Sequence, residues 1–122
     1  IRMSNALPQH VINFANPQLI PKELEVNDPA IVDAPYRSSS WRHFVAPQKN
    51  AVAGIWEAGP HLERCQCDYD KLCHILEGTV RLTDAQGVSC TFGPGSSFVV
   101  AAGFQGTWEN LTAVRKVYFI LG

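Results

Sequence analysis

The chain has 122 residues, 46% of them hydrophobic and 17% charged, with a net charge of −1. That composition suits one compact globular domain and not a disordered segment. The charge balance, with no run of basic residues, excludes a grip on a phosphate backbone, which needs clustered Lys and Arg. No apolar stretch reaches the roughly 20 residues that cross a bilayer, so neither nucleic acid nor membrane is an expected partner.

Residues 1–50 hold six of the eight prolines and carry no sustained helical or alternating period. They are expected to form an irregular arm, packed on a barrel or on a partner subunit. Its side chains Phe14, Ile20, Val32, Tyr36 and Trp41 are too apolar for a free tail. Residues 19–24 have the composition of a short helical turn, limited by flanking proline. Ser38-Ser39-Ser40 reads as a loop leading into an edge strand over 41–45.

From residue 51 the texture changes to short strands divided by Gly, Pro and Asp turns. Strands are expected over 51–58, 72–77, 79–83, 88–92, 98–101, 106–110 and 114–121. Strands this short and this evenly spaced predict an all-β sandwich or small barrel over 51–122, not a parallel sheet with helices. Gly78 permits a tight reversal, and Gly93-Pro94-Gly95 fixes another turn.

Two spacings stand out. Gly59, Cys65, Cys67, Lys71 and Gly78 form Gly-x5-Cys-x-Cys-x3-Lys-x6-Gly. Gly95, Ala101, Gly103, Gly106 and Asn110 form Gly-x5-Ala-x-Gly-x2-Gly-x3-Asn. Together with Leu76-Glu77-Gly78, Gly93-Pro94-Gly95 and Gly106-Thr107-Trp108-Glu109, these resemble the paired motifs of the cupin superfamily. The similarity is to the branch related to (S)-ureidoglycine aminohydrolase and the ethanolamine-utilisation cupin. It implies a small jelly-roll barrel, open at one end and paired into a homodimer. In metal-binding cupins the slots of Cys65, Cys67, Lys71 and Gly106 carry His, His, Glu and His. The resemblance therefore implies a barrel stripped of its usual metal ligands.

Residues two apart on a strand share a face. In the family register Cys65 and Cys67 face the pocket, with Lys71 and Cys73 on the next strand and Gly106 and Trp108 on a later one. A slip of one residue would turn Arg64 and Gln66 inward instead. Either Trp56 or Glu57 must face the interior, and an inward Glu57 would be an acid–base candidate or a partner for Lys71. Lys71 reads as a rim ion pair, an anion-binding ammonium, or a desolvated amine acting as base or Schiff-base nucleophile. A thiol beside it would have a lowered pKa. His74 adjoins Cys73, and so is expected on the outer face.

No cofactor is favoured, because three ligands of suitable type are not assembled; an atypical thiolate site at Cys65 and Cys67 is the alternative. With no export signal at the start of the sequence, all four cysteines read as reduced thiols of a cytoplasmic protein. The leading functional expectation is a pocket for a small polar or anionic metabolite, lined by Glu57, Cys65, Cys67, Lys71, Cys73, Gly106 and Trp108. The alternatives are an enzyme of nitrogen or amine metabolism, aminohydrolase-like or ethanolamine-utilisation-like, and a structural dimerisation module with a filled core.

Overall fold

The computed structural model describes residues 6–122. Ten strands run β1 (Lys22–Val26), β2 (Tyr36–Ala46), β3 (Ala51–Ala58), β4 (His61–Gln66), β5 (Asp70–Glu77), β6 (Val80–Asp84), β7 (Ser89–Phe92), β8 (Ser97–Val100), β9 (Gln105–Asn110) and β10 (Val114–Leu121). They form two antiparallel sheets, one of six strands ordered β1-β2-β3-β10-β5-β8 and one of four ordered β4-β9-β6-β7. The two sheets face each other as a small jelly roll.

Two segments of the expected arm are strands of the larger sheet. Residues 22–26 alternate Lys-Glu-Leu-Glu-Val and pair with β2 rather than forming a helical turn. β2 begins at Tyr36, takes in Ser38-Ser39-Ser40, and is not an edge, since β1 and β3 flank it. The serines alternate across the sheet, Ser38 buried and Ser39 bonded to Glu23 at 2.8 Å. Between β1 and β2 the chain covers the outer edge of β4. The Arg64 N–H donates to the Ile31 carbonyl at 2.8 Å, and Val32 is buried. Phe14 stacks on His43 at 4.8 Å. Residues 22–46 are thus joined to their own barrel by β1–β2–β3 pairing, while the first five residues of the expected arm lie outside the described residues. β4, absent from the strands expected above, pairs along its full length with β9.

The core lies between the sheets, where Cys67, Cys73, Ile75, Val80, Val100, Trp108 and Val114 pack together. Two glycines show why the chain cannot carry side chains there. Gly78 sits at φ +88°, where an L side chain is strained, and an added Cβ would strike the Ala113 carbonyl. Gly106 has no unusual φ, but its Cβ would meet the Thr83 carbonyl oxygen and lie 2.9 Å from Asp84 Cα. β6 passes too closely for anything but glycine.

Candidate functional site

A cavity of about 380 Å³ opens between the sheets, lined by residues of both and by β1. Alternation fixes what faces it. On β10, Val114, Lys116, Tyr118 and Ile120 share the inner face, and on β5 Lys71 and Cys73 do. Cross-strand register pairs Lys116 with Trp56 and Arg115 with Glu57. Trp56 and Lys116 point inward together, and Glu57 and Arg115 point outward together.

Lys116 dominates this interior. It is 5% exposed, on a strand paired on both sides. Its Nζ lies 3.9 Å from the Trp108 ring centre and 4.3 Å from that of Trp56. Lys71 approaches Trp108 from another direction at 4.9 Å. Trp108 is held by Asn110, whose Oδ1 accepts from the indole N–H at 2.7 Å. The Asn110 amide in turn donates to the Gly59 carbonyl at 3.1 Å. Neither lysine has an ion pair among the described residues. Burial, and then repulsion from Lys71, pull the Lys116 amine down to about 7. Burial also works against the Lys71 charge, but Cys73, Tyr69, Cys65 and Cys67 outweigh it and hold Lys71 above the ordinary lysine value. Two adjacent ammonium groups in one cavity repel, so Lys71 is the charged member and Lys116 the one that releases its proton.

An acidic wall stands opposite. Tyr36 donates a short hydrogen bond to Glu63 Oε2 and stacks on the His61 ring, with centroids 3.5 Å apart. His61 Nδ1 is bonded to the Gly59 carbonyl at 2.9 Å. His61 Nε2 lies 3.7 Å from Glu63 Oε2, an electrostatic contact too long for a hydrogen bond, and has no hydrogen-bond partner. Burial alone would raise the Glu63 carboxyl. The contacts from His61 and Tyr36, with Lys116 nearby, reverse that and keep it below the ordinary carboxylate value. Burial, then Glu63, push the Tyr36 phenol well above its usual value, so it stays a donor.

Of the residues expected in the pocket, Lys71 lines this cavity, with Trp108 and Cys73 packed beneath it. Cys65 and Cys67 face inward in the family register, and Arg64 turns out to Asp33 at 2.9 Å. The two cysteines line an adjoining hollow that shares Glu63, Tyr69 and Lys71 with the first. Glu57 does not join them. It forms a short ion pair with Arg115 on the opposite face of β3 and lines a separate depression. The lowered thiol pKa expected beside Lys71 is also reversed: burial, then Glu63, push Cys65 up to about 11, and Lys71 offsets only part of this. His74 lies on the outer face, bonded to Ser97 at 2.7 Å.

The cupin metal centre can be tested against these residues. Gly106 occupies a ligand slot that no side chain can enter. Lys71 brings a cation to the Glu slot, and Cys65 holds its proton. Among the described residues no three His, Cys, Asp or Glu side chains converge as ligands. The residues do not fit that centre. A cavity of about 380 Å³ remains beside these residues.

Reasoning from sequence missed Lys116, and took Tyr36 only as an apolar side chain of the arm and Glu63 only as an auxiliary metal ligand. The signal for Lys116 was the pair of neighbouring matches, Trp56 with Lys116 and Glu57 with Arg115. The ion-pairing residues can share one face only if the lysine shares the other with the indole.

Residues 45–118 match the family model of the EutQ-like cupin domain. Among solved structures, a DUF861-family protein of unknown function from Pseudomonas syringae is 26% identical, with a TM-score of 0.73 over 84% of this chain. The match spans only 43% of that protein. The Clostridium difficile EutQ protein is 14% identical, with a TM-score of 0.62, over 70% of this chain and 63% of that one. A DUF861-family protein from Thermotoga maritima is 31% identical, with a TM-score of 0.51, over 52% of this chain and 73% of that one. No protein of curated function matches the sequence.

Proposed function

Because the chain belongs to the EutQ-like cupin domain family, we propose that its barrel binds a small anionic metabolite, with Lys71 standing in a slot that carries a ligand in metal-binding cupins and Lys116 beside it. One observation carries this reading. Lys71 and Lys116 both reach Trp108 inside the cavity, and neither has a carboxylate partner among the described residues. A desolvated ammonium is costly unless paired, and a bound carboxylate would pair Lys71. Arg42, on the cavity wall, adds to the same field. Calorimetric titration with small mono- and dicarboxylates tests the idea. Binding that vanishes in Lys71→Met, with the fold intact, is expected; equal affinity in the variant would defeat it.

A second reading, an enzyme of nitrogen or amine metabolism, is favoured by the Tyr36–Glu63 pair. A phenol donor and an ionised carboxylate share a wall of the cavity, which suits proton transfer to a bound substrate. Turnover of ureidoglycine-like or acyl-phosphate substrates, lost in Glu63→Gln, would support it.

A homodimer is part of the same proposal. Val99, Leu72 and Phe119 form one cross-strand row on the outer face of the large sheet. All three are at least two-fifths exposed, with Leu121 beside them. Light scattering on a gel-filtration peak should give twice the chain mass, and a monomer at micromolar concentration would remove this element. The four unpaired cysteines fit a reducing compartment, and no helix among the described residues is long and apolar enough to cross a membrane.

A further inference from the structure

Three lysines line the cavity: Lys22 on its exposed β1 rim, and Lys71 and Lys116 inside, where one would suffice as an anchor. The inner two differ in setting. Lys71 lies toward the mouth, at the junction of the two hollows. Lys116 lies deeper, on a central strand, between two indole faces and without an ion pair among the described residues. An amine so placed is shielded from bulk water, has no ion pair within 4.0 Å among the described residues, and has the 380 Å³ cavity beside it, with Glu63 on the same wall.

We propose that Lys116 captures a carbonyl: its Nζ condenses with a small 2-oxo acid or aldehyde acid whose carboxylate is held by Lys71. The proposal rests on the anion-binding reading above and adds a covalent step to it. The Nζ lone pair forms a C–N bond to the carbonyl carbon, and the carbonyl π pair moves to oxygen, which takes up a proton. Nitrogen gives up a proton, leaving a carbinolamine. The nitrogen lone pair then forms the C=N bond as the C–O bond breaks; the hydroxyl takes up a proton and leaves as water, and the iminium nitrogen gives up its second proton. Amine and carbonyl become imine and one water, with no oxidant or reductant consumed. Glu63, ionised and on the cavity wall, is suited to take the proton from nitrogen and return it to the leaving hydroxyl.

The charge arrangement favours this chemistry. Only the free amine attacks a carbonyl. An ordinary surface lysine is unprotonated in roughly one molecule in a few thousand at pH 7; burial between the two indoles and the Lys71 charge lower the Lys116 amine to about 7, so far more of it is free to attack. The Lys71 charge does two things at once: it draws in the substrate carboxylate and keeps the neighbouring amine neutral.

The test is reductive trapping of the full chain with glyoxylate and cyanoborohydride at pH 7, read by peptide mass spectrometry. The expected result is a single carboxymethyl group, on Lys116, formed well before any label on Lys49, which is exposed and away from the cavity, or on Lys22 at the cavity rim. In Lys71→Met the labelling of Lys116 at pH 7 should fall by roughly ten-fold or more, since both anchor and neighbouring charge are gone. Label spread evenly over the exposed lysines, with none on Lys116, would overturn the proposal. Calorimetry with malonate, which has an anionic charge but no ketone or aldehyde, separates the two readings. Malonate binding without trapping removes the imine and leaves the anion site. Trapping at Lys116 without malonate binding upholds the amine and removes the carboxylate anchor. Neither result removes both.

Discussion

Lys116→Met should make the protein more stable, and by an amount that depends on pH. The unfolded chain holds the Lys116 proton up to about 10.5, whereas the folded chain releases it near 7. Below pH 7 the folded state carries the full cost of a desolvated ammonium. Between about 7 and 10.5 the unfolded state binds one more proton than the folded state, so stability rises with pH across that window. At about 1.4 kcal/mol per pKa unit, the full cost below pH 7 is about 5 kcal/mol, and it is mostly gone by pH 10.5. Contacts of the ammonium with two indoles work in the opposite direction, by about 1–2 kcal/mol. Methionine fills a similar volume without a charge. Urea unfolding should therefore show the variant more stable by roughly 2–4 kcal/mol at pH 6.5, with the gap closing to under about 1 kcal/mol at pH 10. A variant that is less stable than the parent by the same margin at both pH values would refute the reasoning. Lys116 would then be an ordinary packed side chain.

Three further outcomes follow from the packing. Gly106→Ala should lose about 2–4 kcal/mol, because its Cβ meets the β6 backbone; Gly93→Ala, with open space around it, should be within about 0.5 kcal/mol of the parent in the same urea assay. Asn110→Ala should cost about 2–4 kcal/mol and alter the tryptophan emission, since it leaves the Trp108 N–H without its acceptor. At pH 7.5 iodoacetamide should modify the exposed Cys90 first and Cys65 only on unfolding; equal rates by mass spectrometry would show that Cys65 is not held protonated.

The barrel was legible because its turns are chemically explicit. Gly93-Pro94-Gly95 and Gly78 can hardly be anything but strand reversals, and the spacing between them sets the strand lengths. The arm was less legible. β1 alternates Lys-Glu-Leu-Glu-Val, a pattern with one apolar face so thin that proline content masked it. β4 was missed as an element because its inner face is His61, Glu63 and Cys65, which inverts the usual rule of apolar in, polar out. The same inversion hid the site. Val114-Arg115-Lys116-Val117-Tyr118 puts a basic residue on each face in either register. Only the partner strand, with Glu57 for Arg115 and Trp56 for Lys116, says which basic residue is buried. Glu57, a candidate inward acid by alternation with Trp56, is placed on the outer face by that same pairing. Lys71 was visible because it fills a family slot that normally carries a carboxylate.

The most direct test is a pH titration of the lysine side chains by NMR, following the carbon beside each amine in labelled protein. With only four lysines and Lys116→Met for assignment, each can be tracked alone. One lysine, Lys116, should titrate near 7, and its signal should shift on adding a small carboxylate, with Lys71 moving in step. Four lysines all titrating near the ordinary value of about 10.4, with no response to carboxylate, would contradict a cavity built on paired lysines.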